Sequence, residues 1–598
     1  MRILGITTEG DSGAAVVEDG RILAAVNEER LARLKLVVGF PRLSIREVLE
    51  LSGTEVEALD AVMVAAERNV FVDELRPFHG WLQASDNGHP ASLVKKAASR
   101  LARYRDQLPI LETGYYTVLE TAFRSRRRRI AQILRQEFGI ICPIRFVDHH
   151  FAHLTSAYFT SGFENALVVS IDGGGDGRSS LVYAVRGGKF EYLHEVSAYH
   201  SLGNYYAYVT HLCGYKAMKH EGKITGLAAH GEPKYLDILQ DFIDERDGTF
   251  INSGRVAFHS AIEALERRLP ATWSKEDLAA SIQRHFEELV QRYIRHWAGE
   301  TGLRNLAVAG GVFANVRVNE EVHNLPEIDR IFVHPHMSDG GLSVGAALAA
   351  CVPGVLDQTM PHSRDPLSDV YLGRDLDEGT ILAALRKHKV IPEDLRVPIE
   401  ERIAALLVEG YVVARANGRI EYGPRALGNR SILYQPTDAS VNDWLNVNLR
   451  RTEFMPFAPS TLYEHRSTCY EKVEGAEHPA EFMTITFHCT PWMREEMKGV
   501  VHLDNTARPH LVRQDRNPSF YRVIESFYRR TGLPAIINTS FNMHEEPIVN
   551  SADDCVLAFL EGNLDFLAIG PYLVKHPKPI THELRPIASR PVREGRPG

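Results

Sequence analysis

The sequence predicts an α/β protein with a duplicated N-terminal part and a second α/β domain after it. Three observations favour this fold class. Two similar β–turn–β–turn–β patterns occur near 2–29 and 166–196, strands and helices alternate between 274 and 350, and a new strand–helix series begins at about 370. A chain of 598 residues is also longer than one hydrophobic core usually supports.

The two β-rich patterns share one order of elements. The first consists of the strands RILGIT, AAVVE and RILAAVNEE, with TEGDSG as its first turn and Asp19-Gly20 as a hairpin turn. The second, ALVVSIDGGGDGRSSLVYAVRGGKFEYLHE, also places acidic and glycine residues in its first turn. Two copies in one chain indicate an internal duplication.

The elements that follow predict α/β architecture. Residues 274–298 have apolar side chains at helical spacing, and Ser274 with Asp277 fits a capped helix start. The segments NLAVAGGVFANVRVNEEV and RIFVHPHMSDGGLSVGAALAA then alternate strand, glycine turn and helix. Such strand ends are where α/β folds bind ligands.

Residues 351–369 have turn residues and no clear periodicity, so a domain boundary is expected there. The expected organisation is listed in chain order: a first domain at 1–355, a linker at 356–369, a second domain at 370–582 with helices near 378–388 and 399–409 and a strand at 411–416, and a mobile tail rich in Pro, Gly and Arg at 583–598.

Composition excludes several classes of protein. The net charge of −9 argues against a general nucleic-acid binder. The basic run RSRRRR (124–129), in a predicted helical region at about 93–137, is either a solvated helix face or a surface for an acidic ligand or partner. The six cysteines form no C-x-x-C, and no signal peptide or membrane span is recognisable, so a reducing, cytoplasmic location is expected.

Three histidines crowd the segment VDHHFAHLTSAYF (147–159). His149 and His153 are spaced i, i+4, whereas His150 and His153 are spaced i, i+3, so either pair shares one helix face. Such a pair could bind a metal with carboxylates from strand-end turns, for which Asp172 and Asp339 are candidates. Spacing leaves open which pair is used, and also whether these are simply polar histidines at a helix start.

Three glycine loops are candidates for phosphate binding, because glycine lets backbone N–H groups approach a phosphate closely. The loops are DGGGDG (172–177), GKITGLAAHG (222–231) and AGGVFAN (309–315). Together they predict a nucleotide held between two sub-domains. The candidate residues are Gly173, Gly174, Lys223, Gly226, Gly310, Gly311 and Asn315.

A second cluster of candidates is rich in arginine, whose planar fork suits phosphate and carboxylate. Arg419, Arg425 and Arg430 lie in NGRIEYGPRALGNRSIL (417–433), and LRRTEFMPFAPS (449–460), Arg508 and INTSFNMHEEPIV (537–549) follow. The Gly/Pro/Ala surroundings favour a site for one or more anions over a set of surface ion pairs.

The ordered motifs EERLARLK, DHHFAHLTSAYF, GKITGLAAHG, AGGVFAN, SDGGLSVGAA, GPRALGNRS, RTEFMPFAPS and NTSFNMHEEPIV span nearly the whole chain. Together they resemble the O-carbamoyltransferase family of antibiotic biosynthesis and nodulation-factor pathways. The resemblance implies a duplicated actin/Hsp70-like (ribonuclease H-like) domain fused to a YrdC-like domain. It implies that the C-terminal domain makes carbamoyl adenylate from carbamoyl phosphate and ATP, and that the N-terminal domain passes the carbamoyl group to a hydroxyl.

The resemblance also implies roles for individual residues. The family's metal ligands match His149, His153, Asp172 and Asp339, with a divalent iron-type ion expected there and Mg²⁺ with ATP, although nitrogen and oxygen ligands also accept zinc or manganese. Lys35 matches a lysine near the acceptor. The residues matched to or expected at the carbamoyl phosphate and nucleotide sites are Arg425, Arg508, Asn538, Arg430, Arg451 and Ser540.

Two departures from the family pattern affect the expected chemistry. Gly10-Asp11-Ser12 stands where many members have a histidine, so Asp11 could act as the base, or a different histidine could reach in. Met455 stands where many have arginine, and Arg450 or Arg451 could supply that charge.

Other functions fit the sequence less well than an O-carbamoyltransferase does. A threonylcarbamoyl-type tRNA-modifying enzyme fits the acidic charge and the second domain poorly. A sugar-kinase-like ATPase does not explain the histidine pair or the arginines, and a non-catalytic partner protein is the remaining class. We expect a small-molecule hydroxyl acceptor as the partner, such as a natural product or sugar, and neither nucleic acid nor a membrane. A homodimer is an open alternative to a monomer, and the sequence does not specify the acceptor.

Overall fold

The computed structural model of the protein describes residues 1–68, 70–72, 74–78, 110–362, 365–450, 457–579 and 582–588, with main chain only at 110–122. The chain divides into two compact units. Unit 1 comprises Met1–Glu28 and Leu36–Leu367, and unit 2 comprises Glu29–Lys35 and everything from Ser368 onward. The break at 367 lies within the segment where a linker was expected. No pattern in the sequence predicts that seven residues near the N-terminus belong to unit 2.

Unit 1 contains two five-stranded sheets, and their strands are listed here in chain order: β1 Arg2–Thr7, β2 Gly13–Glu18, β3 Arg21–Asn27, β4 Ala61–Ala65 and β5 Ile144–Val147, followed by β6 Asn165–Gly175, β7 Arg178–Arg186, β8 Lys189–Ser197, β9 Asn305–Ala309 and β10 Arg330–Val333. The sheet orders are β3-β2-β1-β4-β5 and β8-β7-β6-β9-β10. In each sheet the first three strands are antiparallel and the last two run parallel to the first. The identical order confirms the predicted duplication.

The helices of unit 1 follow or cover these strands. The first helix, α1 Glu28–Ala32, begins at the last residue of unit 1 before the chain enters unit 2. The other helices of unit 1 are α2 Arg42–Leu51, α3 Ile110–Phe138, α4 His149–Ser161, α5 Leu202–Leu212, α6 Glu221–Ala228, α7 Leu236–Gln240, α8 His259–Arg268, α9 Lys275–Thr301, α10 Val316–His323 and α11 Leu342–Leu348. The predicted helix at 274–298 is α9, and its Ser274 hydroxyl accepts the N–H of Asp277 at 3.1 Å, as the capping pattern predicted.

Unit 2 is built on one seven-stranded mixed sheet with the order β14-β13-β15-β12-β11-β16-β17. Its strands are β11 Val413–Ala416, β12 Arg430–Tyr434, β13 Ala458–Leu462, β14 His510–Val512, β15 Ala535–Ser540, β16 Phe566–Ile569 and β17 Tyr572–Lys575. Its helices are α12 Glu378–Lys387, α13 Ile399–Val408, α14 Ser440–Asn448, α15 Arg466–Cys469, α16 Glu477–Ala480, α17 Pro491–Glu496, α18 Pro518–Thr531 and α19 Ala552–Glu561. The α/β class predicted for this part is confirmed.

The start of the C-terminal tail is held on unit 2 and differs from the mobile segment expected. Arg585 donates to a carboxylate oxygen of Asp438 at 3.1 Å, and the N–H of Ile587 donates to Val408 O at 2.9 Å. Residues 589–598 lie outside the described part of the chain.

All six cysteines are free thiols, which agrees with the absence of a disulfide pattern in the sequence. Arg124, Arg126, Arg128 and Arg129 of the basic run are exposed on α3. Within the described residues, no helix combines the length and the apolar character needed to cross a membrane.

Candidate functional site

In unit 1, the ends of three strands bring four predicted metal ligands together. The helix α4 begins directly after β5 and carries His149 and His153 one turn apart. Asp172 lies near the end of β6, and Asp339 lies in the loop between β10 and α11. The strand β5 belongs to the first sheet, and β6 and β10 belong to the second, so the side chains converge where the strand ends of the two repeats meet.

The four side chains offer donor atoms within 4.8 Å of one another. The Nε2 atom of His149 lies 3.2 Å from Asp172 Oδ2 and 3.8 Å from Asp339 Oδ1, and His153 Nε2 lies 3.9 and 3.8 Å from the same two atoms. Metal–nitrogen and metal–oxygen bonds of about 2.0–2.2 Å place neighbouring ligands about 3–4 Å apart, so the spacing suits one divalent cation. The histidines are buried, whereas Asp339 is 26% exposed, so the cluster opens to solvent on its carboxylate side.

The environment of His153 supports this fit. Both ring nitrogens are buried, and neither has a hydrogen-bond partner among the described residues. Burial, and then the charge on neighbouring His149, hold the pKa of His153 well below its usual value, so the ring stays neutral. A neutral imidazole with a free lone pair is the form that binds a metal ion.

Glu9 holds the His149 ring through the nitrogen that faces away from the two aspartates. Its Oε2 lies 2.6 Å from His149 Nδ1, which leaves Nε2 to face Asp172 and Asp339. Burial alone would lower the pKa of His149, but the carboxylates of Glu9 and the two aspartates outweigh it and raise that pKa well above its usual value. A carboxylate on the second nitrogen of a ligating histidine fixes the orientation of the ring. Glu9 was missed at the sequence level, where its one signal was its place in the first turn of the first repeat.

The carboxyl groups of the cluster differ in their proton affinity. Burial opposes ionisation of Asp172, but the hydrogen bond from His149 outweighs it and keeps the pKa of Asp172 well below its usual range. Burial, together with the charge on Asp172, raises the pKa of Asp339 well above its usual value. A bound cation would favour ionisation of Asp339 beside Asp172.

His150 has different partners. Its Nδ1 lies 2.8 Å from Ser170 Oγ, its Nε2 lies 3.0 Å from Arg178 O, and burial lowers its pKa to about 3. It is therefore a neutral, hydrogen-bonded core residue. Of the two spacings that the sequence left open, the structure brings the pair His149 and His153 to the aspartates.

Gly175 allows this arrangement through close approach. A Cβ atom built on Gly175 would overlap the imidazole ring of His149. The ring therefore occupies the space that any other residue at this position would fill. Glycine is therefore needed at this turn of the second repeat so that His149 can pack against it, whether or not the turn also binds a phosphate.

The turn at Gly10 borders the same cluster. A Cβ on Gly10 would lie 2.9 Å from Asp339 Oδ2, so this turn closely approaches the side chain of Asp339. The next residue, Asp11, has a positive φ of 63° and its Oδ2 lies 3.0 Å from Nε2 of His336. Asn27 ties the turn down by donating to Asp11 O at 3.1 Å and Gly340 O at 3.2 Å. His336 is thus a histidine that reaches Asp11 from a distant loop.

The residues predicted to bind a nucleotide in unit 1 have varied surroundings. The Gly311 N–H donates to Asp172 Oδ1 at 3.0 Å, and Gly310 precedes it with a φ of 105°. Asn315 caps α10 by accepting from Arg317 N at 3.2 Å and Val318 N at 3.3 Å. The remaining candidates are placed as follows: Gly173 and Gly174 in β6, Lys223 and Gly226 in α6, with Lys223 Nζ 5.9 Å from the centre of the Tyr215 ring. Their role in nucleotide binding stays a prediction.

In unit 2, the arginine-bearing turn at 418–430 is held by a buried carboxylate. Glu421 Oε1 accepts the N–H groups of Leu427 at 2.8 Å, Asn429 at 2.8 Å and Arg430 at 3.1 Å. Asn538 of β15 donates to Ala426 O at 3.0 Å. The turn is therefore fixed both from within and by the neighbouring strand.

Two fully buried guanidinium groups surround this turn. Arg430 donates through Nη1 to Gly418 O at 3.0 Å, while its Nε and Nη2 have no hydrogen-bond partner in the described part of the chain. Arg415 donates to Gly428 O and, at 2.9 Å, to Ser519 Oγ, and burial lowers its pKa to about 10, so it stays charged near neutral pH. Glu421 and Glu400 offset part of the charge on Arg415, while Arg430 donates to main-chain carbonyls, so the turn keeps unfilled donors that suit an anion. Arg415 was missed at the sequence level, although a charge within the strand YVVARA was a signal.

The other predicted residues of this region are less deeply placed. Arg425, Arg508 and Ser540 are half-buried, and Lys35 is exposed in the segment 29–35 of unit 2. Arg419 donates to Gly373 O and Leu372 O, each at 2.9 Å, which is a structural role. Arg451 and Met455 lie outside the described residues.

Comparison with known proteins identifies the family. The model of the carbamoyltransferase N-terminus matches residues 2–348, and that of the carbamoyltransferase C-terminus matches residues 404–576. The chain belongs to the carbamoyltransferase family. The enzyme class is therefore carbamoyltransferase, and the resemblance inferred from the eight motifs is confirmed.

Relatives of this carbamoyltransferase include proteins of nodulation. It is 33% identical over 583 residues to nodulation protein NolNO of Sinorhizobium fredii, covering 94% of this chain and 79% of that protein. It is 35% identical over 437 residues to nodulation protein NolO of Bradyrhizobium diazoefficiens, covering 72% and 79%. Among solved structures, component A of (R)-2-hydroxyglutaryl-CoA dehydratase from Acidaminococcus fermentans aligns with a TM-score of 0.32 at 15% identity over 58% of this chain and 96% of that one. A likeness at that score supports no statement about function.

We expect the purified wild-type carbamoyltransferase to contain a divalent metal and His149→Ala to lose it, because the substitution removes one donor of four. His150→Gln is the matched control, since it changes a neighbouring buried histidine that has other partners. Elemental analysis of both variants after identical purification measures the effect. Full metal retention in His149→Ala would rule out its assignment as a ligand.

We expect Glu9→Gln to weaken metal affinity by about 10- to 100-fold, as is usual when the carboxylate behind a ligating histidine is removed. The amide keeps the shape but loses the charge that favours the correct ring orientation. Titration of the metal-stripped enzyme with a competing chelator measures the affinity. An affinity equal to that of the wild type would show that Glu9 has only a packing role.

Proposed function

We propose that this carbamoyltransferase is an ATP-dependent O-carbamoyltransferase with two reaction sites. Unit 2 would form carbamoyl adenylate from carbamoyl phosphate and ATP. Unit 1 would transfer the carbamoyl group to a hydroxyl of a small natural-product or sugar acceptor. The observation that carries the transfer site is the convergence of two histidines and two aspartates, with Glu9 behind His149.

The buried arginines support the activation step in unit 2. In that step water divides carbamoyl phosphate into carbamate and phosphate, and a carbamate oxygen then attacks the α-phosphorus of ATP. Pyrophosphate leaves, and carbamoyl adenylate remains. Each reactant carries several phosphate oxygens, and the charged Arg415 and Arg430 around the turn at 418–430 would stabilise that negative charge. Arg425, Arg508 and Asn538 would contact the same anions.

The transfer step in unit 1 needs a base and a place for the adenylate. The acceptor oxygen attacks the carbamoyl carbon, the bond to the AMP phosphate breaks, and the hydroxyl proton must be removed. Asp11, hydrogen-bonded to His336 at 3.0 Å and adjacent to Gly10 at the cluster, is the carboxylate that we assign to that proton. A divalent ion held by His149, His153, Asp172 and Asp339 would act as a Lewis acid toward phosphate and hydroxyl oxygens.

The alternative of a plain sugar kinase is disfavoured by the same geometry. A kinase transfers a phosphoryl group and needs no second reactant-binding unit. The buried donors of Arg430 that have no hydrogen-bond partner in the described structure would then have no substrate anion to bind. ATP cleavage between the β- and γ-phosphates would produce ADP, whereas the proposed reaction produces pyrophosphate and AMP, so the products distinguish the two.

We expect the wild-type enzyme to release pyrophosphate only when ATP and carbamoyl phosphate are both present. Coupled pyrophosphate detection, with AMP and ADP separated by chromatography, measures this reaction. A panel of hydroxylated natural products and sugars, analysed by mass spectrometry, then tests for carbamoylated products. ADP as the product, or no dependence on carbamoyl phosphate, would refute the proposal.

We expect substitutions in the two units to divide the reaction. Arg425→Ala and Arg508→Ala should block pyrophosphate release, because they remove charge from the activation site. Asp339→Asn and Asp11→Asn should retain pyrophosphate release but lose transfer to the acceptor found in the panel. Arg186→Ala, which breaks an exposed ion pair with Glu191, is the control. Unchanged pyrophosphate release in both arginine variants would refute the site in unit 2.

A further inference from the structure

We propose that Arg30 is an anion-binding residue of the site in unit 2, supplied by the short N-terminal segment Glu29–Lys35. The proposal deepens the proposed function and rests on it for the identity of the reactants. Arg30 and Arg33 both lie in this segment, only three positions apart. Their surroundings differ in a way that separates a ligand-binding arginine from an anchoring one.

Arg33 has all the features of an anchor. Its guanidinium donates to Ile548 O at 2.8 Å and Pro547 O at 3.1 Å, and it lies 3.6 Å from a carboxylate oxygen of Glu546 and of Asp554. Its side chain is 27% exposed. Carbonyls and carboxylates therefore already satisfy its charge and its donors. Arg33 ties the segment to the loop that follows β15.

Arg30 is more deeply buried and less well satisfied. The residue is 6% exposed, and its Nη2 donates to Gly423 O at 2.7 Å. Its Nε lies 3.8 Å from Glu29 Oε1, an ion pair that balances part of its charge but is too long to be a hydrogen bond. Its Nη1 is buried and has no hydrogen-bond partner among the residues described. A buried guanidinium with a vacant donor is unfavourable unless a ligand completes it.

The position of Arg30 identifies the kind of ligand. Gly423 lies two residues before Arg425, in the same turn whose Gly418 and Gly428 carbonyls accept from Arg430 and Arg415. Three buried guanidinium groups thus surround one turn and donate to its carbonyls, and they outnumber the one carboxylate, Glu421, that holds the turn. Two of them, Arg30 and Arg430, keep vacant nitrogens within the described structure. A phosphate group matches these donors because it is negatively charged and two of its oxygens can accept from one planar guanidinium.

The ligand is therefore a phosphate group, either that of carbamoyl phosphate or one of the ATP phosphates. Removing a hydrogen bond to a charged group of this kind corresponds to about a 10- to 100-fold loss of affinity. A purely structural arginine would lower stability and leave the affinity for both reactants unchanged. The two possibilities give different kinetic signatures.

The test uses the full-length enzyme and pyrophosphate release, with each reactant varied while the other is saturating. Arg30→Ala is expected to raise the KM for one reactant by about 10- to 100-fold. A rise for carbamoyl phosphate or for ATP supports the proposal and shows which phosphate is bound. Arg30→Lys keeps the positive charge but not the two parallel donors of the guanidinium, so its KM should lie between those of the wild type and Arg30→Ala. Arg33→Ala is the matched control, expected to lower the melting temperature without a selective change in KM.

A second measurement is independent of the reaction. Inorganic phosphate should raise the melting temperature of the wild type and of Arg33→Ala, and this shift should be absent in Arg30→Ala. If the wild type releases no pyrophosphate, the proposed function fails, but the phosphate shift still decides the role of Arg30. An equal shift in wild type and Arg30→Ala, or unchanged KM values for both reactants, would overturn the proposal.

Discussion

The imidazole of His149 contacts both halves of the duplicated unit. Its Nδ1 meets Glu9 in the first turn of the first repeat, at 2.6 Å, and its Nε2 meets Asp172 at the end of the first strand of the second repeat, at 3.2 Å. The ring is buried, so these contacts are not weakened by solvent. His153 and Asp339 can share a metal ion with His149 only when the His149 ring is held in this orientation, because all the donor atoms must face one point.

The candidate sites of the two units concentrate charges of opposite sign. The site of unit 1 concentrates carboxylates around two histidines, which favours a cation. The turn of unit 2 concentrates guanidinium groups that donate to carbonyls and outnumber its one carboxylate, Glu421, which favours an anion. Both arrangements leave buried charge incompletely paired, an unfavourable state for a protein without ligands and a common one at functional sites. This division agrees with an enzyme that activates one group and delivers it elsewhere.

Much of the fold could be predicted because it depends on local patterns. The strands of both repeats, the capped helix at 275–301 and the strand-end aspartates all follow from periodicity and turn residues. The choice between His149 and His150 could not come from spacing, since each shares a helix face with His153. The choice depends on Ser170 and Arg178, which form hydrogen bonds with both ring nitrogens of His150. Contacts such as Asp11 with His336 join residues 325 positions apart, and no local pattern reveals them.

The chain enters unit 2 twice. It does so first for the seven residues Glu29–Lys35, between β3 and the rest of unit 1, and again after Leu367. A single cut near residue 367 would therefore not yield two complete parts, because the C-terminal piece would lack the anchor Arg33 and the buried Arg30. The two units are interleaved in the sequence, so an exchange of one unit with that of a relative must carry the short segment with it.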